Sequence, residues 1–335
     1  MFRKSSLRAF VLGTSILLAA AATATAAEST QPAKIRITYV KLPLNVPSIV
    51  VKHLGMMEEE FGPDGIVIER PEITSGGKQT QALAAGAIDI ASVVSSSAAI
   101  TARANGVGLK IVAVFARAPR AFNIAAVDPD IQNVADLKGR KVAGPKGSLL
   151  NQMLFAALLS SGLHPEDVGY VHMGVPKAMA ALIGGSVDAA LIAGPFVPKA
   201  ESQGARIIAT GEGLVKGLIV TAVSQSFWEH HPNLVRRYLA ARQKACAFMR
   251  ENPDKTIALV ARETGIAVDD IKRMLPWYDF SMAITSSDMA DLQATQAFLL
   301  KSGMLQHPTR IADMVVDVAN EAARANGQHG KRASN

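Results

Sequence analysis

KQTQALAAGAIDIASV at residues 78–93 is written a second time, altered, as KAMAALIGGSVDAALI at residues 177–192. Lys78 and Lys177 stand 99 positions apart, as do Leu83 and Leu182, Gly86 and Gly185, and Asp89 and Asp188. Each copy predicts a helix that stops at a glycine and a strand that starts two residues later, at Ile88 or Val187. Gly86 and Gly185 suit the left-handed cap position, where a side chain would clash. Asp89 and Asp188 then fall at strand starts, where a carboxylate bonds nearby backbone amides and fixes the αβ turn. They are not read as a catalytic pair, because they lie at equivalent ends of two separate sheets.

Outward from the first copy, IRITYV at 35–40 reads as a strand. PSIVVKHLGMMEEEFG reads as one helix with Pro47 near its start and Gly62 after its end. GIVIERPEI is a second strand and TSGGK a loop; after the repeat come a helix from Ser96 to about Asn105 and the strand LKIVAVFA. From Arg120 the order starts again: AFNIAAV, a strand after VADLKGR, the helix SLLNQMLFAALLSSG, the strand VGYVHMG, the second copy, PFVPKAESQG and ARIIATG. After GLIVTAVSQSFWEHHP, residues 233–323 predict nearly continuous amphipathic helix, punctuated by Pro253, Gly265, Pro276, Gly303 and Pro308. Strands alternating with helices predict mostly parallel sheets covered on both faces. The expectation is an α/β protein of two units with a C-terminal helical segment.

In open parallel sheets ligands bind beyond the carboxyl ends of the strands, where helices begin. Those ends are Pro43-Leu44-Asn45, Ser75-Gly76-Gly77 and Ser95-Ser96-Ser97 in the first unit. In the second they are Lys146-Gly147-Ser148, followed by Leu149, and Gly194-Pro195-Phe196. They are small, hydroxylic or glycine-rich. Helix N-termini offer unpaired N–H groups and partial positive charge, so two such sets facing one cleft suit a small anion. Taken singly, Ser96, Ser97 and Ser148 are ordinary N-caps; their joint occurrence in both units carries the anion reading. Arg117 and Arg120 lie where the chain passes between units, so that one of them could face the cleft. Trp277, Tyr278 and Phe280 are read first as packing and second as a cleft wall.

Residues 1–27 read as an export leader, with basic Arg3, Lys4 and Arg8, an apolar run from Phe10 to Ala22, and Ala24-Thr25-Ala26 as the cleavage signal. No later run approaches the roughly 18 apolar residues that a membrane span needs. Without the three basic leader residues the net charge falls from +7 to +4, and no basic stripe with interleaved aromatics argues for nucleic acid. The one cysteine, Cys246, is expected to be buried packing. No Gly-x-Ser-x-Gly elbow, Walker loop or His-Glu-x-x-His occurs. His230 and His231, as neighbours, point apart, and His53, His164 and His172 lack carboxylate or thiol partners at ligand spacing. No metal, cofactor or catalytic group is expected.

With these residues in view, the chain resembles the periplasmic substrate-binding proteins of ABC importers in the aliphatic-sulfonate, taurine and nitrate group, which are similar to the thiamine-pyrimidine-precursor binders. The resemblance rests on SGGKQTQALAAGAIDIASV, VSSSAAI, VADLKGRKVAGPKGS, GGSVDAALIAGPF, FWEHHPNLVRRYLAA and QAFLLKSGMLQHP, in that order along the mature chain. It implies the two-lobed periplasmic binding protein fold of type 2, with one ligand enclosed between lobes that close like jaws. Lobe 1 would be 34–119 with 219–330, and lobe 2 would be 120–218. Ser95 and Ser96 match the family's anion-binding serines, Ser148 its hydroxyl residue, and Gly194, Pro195 and Phe196 its lobe-two loop. Where relatives carry further hydroxyl or histidine residues, this chain has Leu149, Leu150 and Asn151, and Ala193 and Gly194 replace a frequent Trp-Asp. An amine-bearing ligand needs a carboxylate, and Asn123 stands where one was sought. The resemblance therefore implies a monomeric, non-enzymatic receptor for a larger sulfonate or a carboxylate rather than taurine or bare nitrate. Its partners would be a permease in the inner membrane and the ATPase that drives it. Two other readings stay open: a pyrimidine-binding protein or enzyme on the same fold, and a periplasmic sensor subunit.

Overall fold

The computed structural model describes residues 31–40, 45–316 and 318, so the expected leader at 1–27, Leu44, and the tail beyond 318 lie outside the described residues. The first half runs β1 (Lys34–Arg36), α1 (Val46–His53), α2 (Met56–Phe61), β2 (Val67–Glu69), α3 (Gly76–Ala84), β3 (Ile90–Ser95), α4 (Ser96–Ala104) and β4 (Leu109–Arg117). It continues with β5 (Phe122–Ala126), β6 (Lys141–Gly144), α5 (Leu149–Ser160), β7 (Gly169–His172), α6 (Val175–Ile183), β8 (Ala189–Ala193), α7 (Phe196–Glu201), β9 (Arg206–Thr210) and β10 (Leu218–Ser224). The remainder is α8 (Gln225–His230), α9 (Pro232–Glu251), α10 (Pro253–Thr264), α11 (Val268–Met274), α12 (Ser286–Lys301) and α13 (Ile311–Met314).

The repeated stretch builds one device twice. Gly86 (φ 64) and Gly185 (φ 68) both take the left-handed conformation just past α3 and α6. Asp89 donates its amide to Arg36 O at 2.9 Å and accepts the Arg36 amide on Oδ2 at 2.8 Å. Asp188 does the same with Lys141, at 2.9 and 2.7 Å. The sequence placed the amides that the two carboxylates bond in the local turn; they are instead on β1 and β6. Each aspartate thereby fixes the register of β1 against β3, or of β6 against β8. The strands also begin two residues later than the spacing suggests, at Ile90 and Ala189.

Both lobes share one strand order. In the second, the sheet runs β7-β6-β8-β5-β9, with β5 antiparallel to both neighbours. In the first, a bridge at Ile37–Ile90 joins β2-β1 to β3-β10-β4, with β10 as the antiparallel strand. The inserted antiparallel strand of each lobe is the one that has just crossed from the other. Lobe 2 is covered on one face by Met153, Leu154 and Leu158 of α5 and on the other by Met179 and Leu182 of α6 with Val197 of α7. Each such side chain contributes about 1.5–3 kcal/mol when fully buried.

Two local expectations are corrected. The single helix read over PSIVVKHLGMMEEEFG is broken into α1 and α2 by Gly55, which sits at φ 64. The C-terminal helical run is interrupted by an extended stretch after Trp277, where Asp279 pairs both backbone groups with Arg117 at 2.8 and 2.9 Å. That stretch lies beside the crossover between lobes. There Ala118 donates to Gly217 O at 3.2 Å.

Candidate ligand-binding cleft

The helix starts singled out in the sequence are brought to two sets of neighbours. In lobe 1, Ser75 caps α3 and Ser95 caps α4, its Oγ accepting from Ala98 N at 3.2 Å. A Cβ on Gly76 would lie 3.4 Å from Ala98 Cβ and 3.7 Å from Ser95 N, so the glycine lets these two helix starts approach closely. Ser95, not Ser96 or Ser97, is the cap; Ser97 Oγ pairs with Ser95 Oγ at 3.1 Å. Ser96, the first residue of α4, is thereby released: it is fully buried and its Oγ has no partner. Asn45, preceding α1, is equally buried; its Nδ2 donates to Val40 O at 2.8 Å and its Oδ1 has no partner.

In lobe 2, Ser148 caps α5 and is used in both directions, accepting from Asn151 N at 3.3 Å and donating to Pro145 O at 2.7 Å. The unsatisfied group belongs to Asn151, whose Oδ1 accepts from Gly147 N at 3.2 Å while its buried Nδ2 has no partner. Leu149 and Leu150 lie in the apolar core of lobe 2. Gly194 takes φ +55, and a Cβ there would stand 3.5 Å from Tyr278 Oη. Pro195 precedes the short α7, and Phe196 is half-buried against the α6 layer.

Tyr278, read first as packing and second as a cleft wall, is packed in the core. It is buried, stacked at 5.8 Å on Phe280, and its hydroxyl reaches Gly194 of the other lobe. Burial holds its phenol above the usual range, so it stays protonated. α12 also bridges the lobes. Its Leu292 and Leu299 share a cluster with Ala99 and Ile100 of α4, while Thr295 Oγ1 donates to Gln152 Oε1 of α5 at 3.2 Å and Phe298 packs edge-on to Phe155 at 5.4 Å.

α1, α3, α4, α5 and α7 have no acidic residue in the first turn, as is also true of α6, α8 and α9. α2, α10, α11 and α12 do carry one there. The positive N-terminal ends of α1, α3, α4, α5 and α7 therefore have no acidic side chain in their first turns. Arg117 is bound to Asp288 at 2.9 and 2.6 Å and to Asp279 at 3.1 Å. Arg120 is exposed, 3.8 Å from Glu212, and Asn123 is a buried β5 residue donating to Arg120 O at 3.2 Å. His53, expected to lack a carboxylate, has Glu263 at 2.8 Å, 210 residues away. Cys246 is buried, as expected. Among the described residues no cluster of three or more His, Cys, Asp or Glu could hold a metal, and no helix is long and apolar enough to cross a membrane.

Two sheets of identical strand order, linked by two crossovers, define the two-lobed periplasmic binding protein fold. The chain belongs to the NMT1/THI5-like family, whose description it matches over residues 61–256. It is 32% identical to a putative aliphatic sulfonates-binding protein of Escherichia coli K12, over 75% of this chain and 77% of that protein. It is 29% identical to a protein of the same description from Bacillus subtilis 168, over 81% of each. Among solved structures, it is similar to the alkanesulfonate-binding protein SsuA of Xanthomonas axonopodis pv. citri bound to MOPS. There the TM-score is 0.77 at 25% identity, covering 85% of this chain and 99% of that one.

Proposed function

We propose that this protein is the periplasmic solute-binding component of an ABC importer, exported by its first 27 residues. In this reading lobe 1 (34–119 with 219–330) and lobe 2 (120–218) enclose one small organic anion, a sulfonate or a carboxylate, and deliver it to a membrane permease powered by an ATPase. The protein acts by binding and release, without covalent chemistry. The observation that carries this reading is the pair of buried donors left without partners at helix starts of opposite lobes, Ser96 Oγ and Asn151 Nδ2. A buried donor without an acceptor costs about 1–3 kcal/mol, and a bound oxyanion supplies acceptors to both. The uncompensated positive ends of α4 and α5 act in the same sense, and Tyr278 Oη adds a donor near Gly194. No acidic residue stands in the first turns of these helices, which disfavours a ligand with an ammonium group such as taurine. The similarity to sulfonate-binding proteins, one of them solved with MOPS, supports a sulfonate bulkier than taurine.

The test is a thermal-shift screen of the mature protein against alkyl and aryl sulfonates, sulfate esters, aromatic carboxylates, nitrate and pyrimidines, since a ligand bound by the native state raises the midpoint by mass action. A rise with sulfonates or carboxylates is expected. A rise with pyrimidines alone refutes the anion reading.

A further inference from the structure

Within lobe 1, a cavity of about 20 Å³ lies under α1 and is bordered by Ser48 in the first turn of that helix. It is lined by Thr38, Tyr39, Ser48, Arg70, Tyr238 and Arg242, with three apolar residues and no carboxylate. Arg242 is 1% exposed. Its Nη1 donates to Val114 O at 3.0 Å and to Thr221 Oγ1 at 3.3 Å, and its Nη2 to Phe115 O at 2.5 Å. A guanidinium has five N–H groups. Three hydrogen bonds therefore leave two unused, and Nε is buried with no partner.

The guanidinium lies over the Phe115 ring at 4.3 Å, but no ionised group offsets its charge. The titratable groups that act on Arg242 are Tyr238 and Cys246, both held in their neutral forms by burial. The other guanidinium at the cavity, Arg70, is already paired, with both oxygens of Glu58 at 2.6 and 3.0 Å. The Tyr39 hydroxyl proton goes to Glu263 and the Thr38 proton to Gln79, which leaves Ser48 and Tyr238 as the hydroxyls on the cavity wall. A buried charge without a counter-charge is strongly unfavourable, and a cavity of this size has room for one water-sized particle. A neutral water would accept the Nε proton but leave the charge unmatched.

We infer that this cavity is a second anion site, separate from the ligand cleft, and that it takes one monatomic anion of chloride size against Arg242 Nε. Because Arg242 holds the carbonyls of Val114 and Phe115 on β4, the strand that leads into the first crossover, the anion would stabilise the base of the hinge.

The experiment is anomalous diffraction from crystals of the mature protein grown in bromide, together with thermal unfolding at constant ionic strength as chloride replaces gluconate. A bromide peak in the cavity beside Arg242 is expected. So is a midpoint rise of roughly 3 °C once chloride exceeds its dissociation constant about tenfold. Arg242→Met should abolish both effects. Should that variant fail to fold, Ser48→Val, which narrows the cavity and leaves Arg242 in place, should weaken both. An ordered water without anomalous signal, or a midpoint indifferent to chloride, overturns the inference. Since the cleft residues are untouched, such a failure would leave sulfonate binding intact.

Discussion

Replacing Asp288 with Asn should loosen the junction where the two lobes are joined. The Asp288 side chain is fully buried and receives five hydrogen bonds: Arg117 Nε (2.9 Å) and Nη2 (2.6 Å), Lys216 Nζ (3.0 Å), and Thr285 N (2.8 Å) and Oγ1 (2.7 Å). Arg117 ends β4 before the first crossover, and Lys216 precedes β10 after the second, so this carboxylate ties both crossings to α12. These partners hold it well below the usual carboxylate range. An Asn amide would turn donors toward donors and leave two cations facing a neutral group. Breaking a buried pair costs about 3–5 kcal/mol. Arg117 keeps Asp279 and the carbonyls of Ser281 and Ala283, so the lower figure applies. At about 2 °C per kcal/mol for a chain of this size, the unfolding midpoint should fall by about 6 °C. Asp279→Asn is the control. Its side chain is 52% exposed, and exposed pairs contribute less than about 1 kcal/mol. Thermal denaturation followed by circular dichroism checks the pair, and equal midpoint losses in the two variants would refute the reasoning.

Two further outcomes follow from the same coordinates. Glu263 is held down to about 2 by Lys52, Tyr39 and His53, against an ordinary value of 4.5. Its contribution to stability is therefore present above pH 4.5 and lost as pH falls toward 2. The midpoint gap between wild type and Glu263→Gln should close over that window, and a constant gap would contradict it. Gly217 has φ +60, and a Cβ there would lie 2.7 Å from Ala118 C, a backbone atom that cannot yield. Gly213→Ala, also at positive φ but with nothing within 4 Å, should cost about 1–2 kcal/mol. Gly217→Ala should cost clearly more in urea unfolding, and equal costs would show that the crossing strands are free to separate.

The two lobes were legible in the sequence because the helix-Gly-Asp-strand order is a local signal that recurs 99 residues later. What the aspartates bond was not, since Arg36 and Lys141 lie 53 and 47 residues before them. The same limit hid Glu263 from His53 and Asp288 from Arg117. The serine-rich turn was legible as the start of α4, but whether Ser95 or Ser96 caps that helix depends on one backbone conformation. With Ser95 extended at ψ 147, its neighbour is freed. In lobe 2 the reading stopped at Ser148, a committed cap, and named Asn151 only as a departure from relatives. A signal was available: it is the first polar residue after Ser148, three positions along the helix. Tyr278 could not be linked to Gly194, because the contact exists only once α11 and the extended stretch after it fold back onto the crossover.

The central claim is that buried helix-start donors of both lobes bind one anion. Calorimetric titration of wild type, Ser96→Ala and Asn151→Leu with an alkanesulfonate found in the screen tests it most directly. Losing one hydrogen bond to a charged ligand is worth about 1.5–3 kcal/mol, so each variant should bind at least about tenfold more weakly, with its unfolding midpoint in the absence of ligand nearly unchanged. Wild-type affinity in both variants would contradict the account.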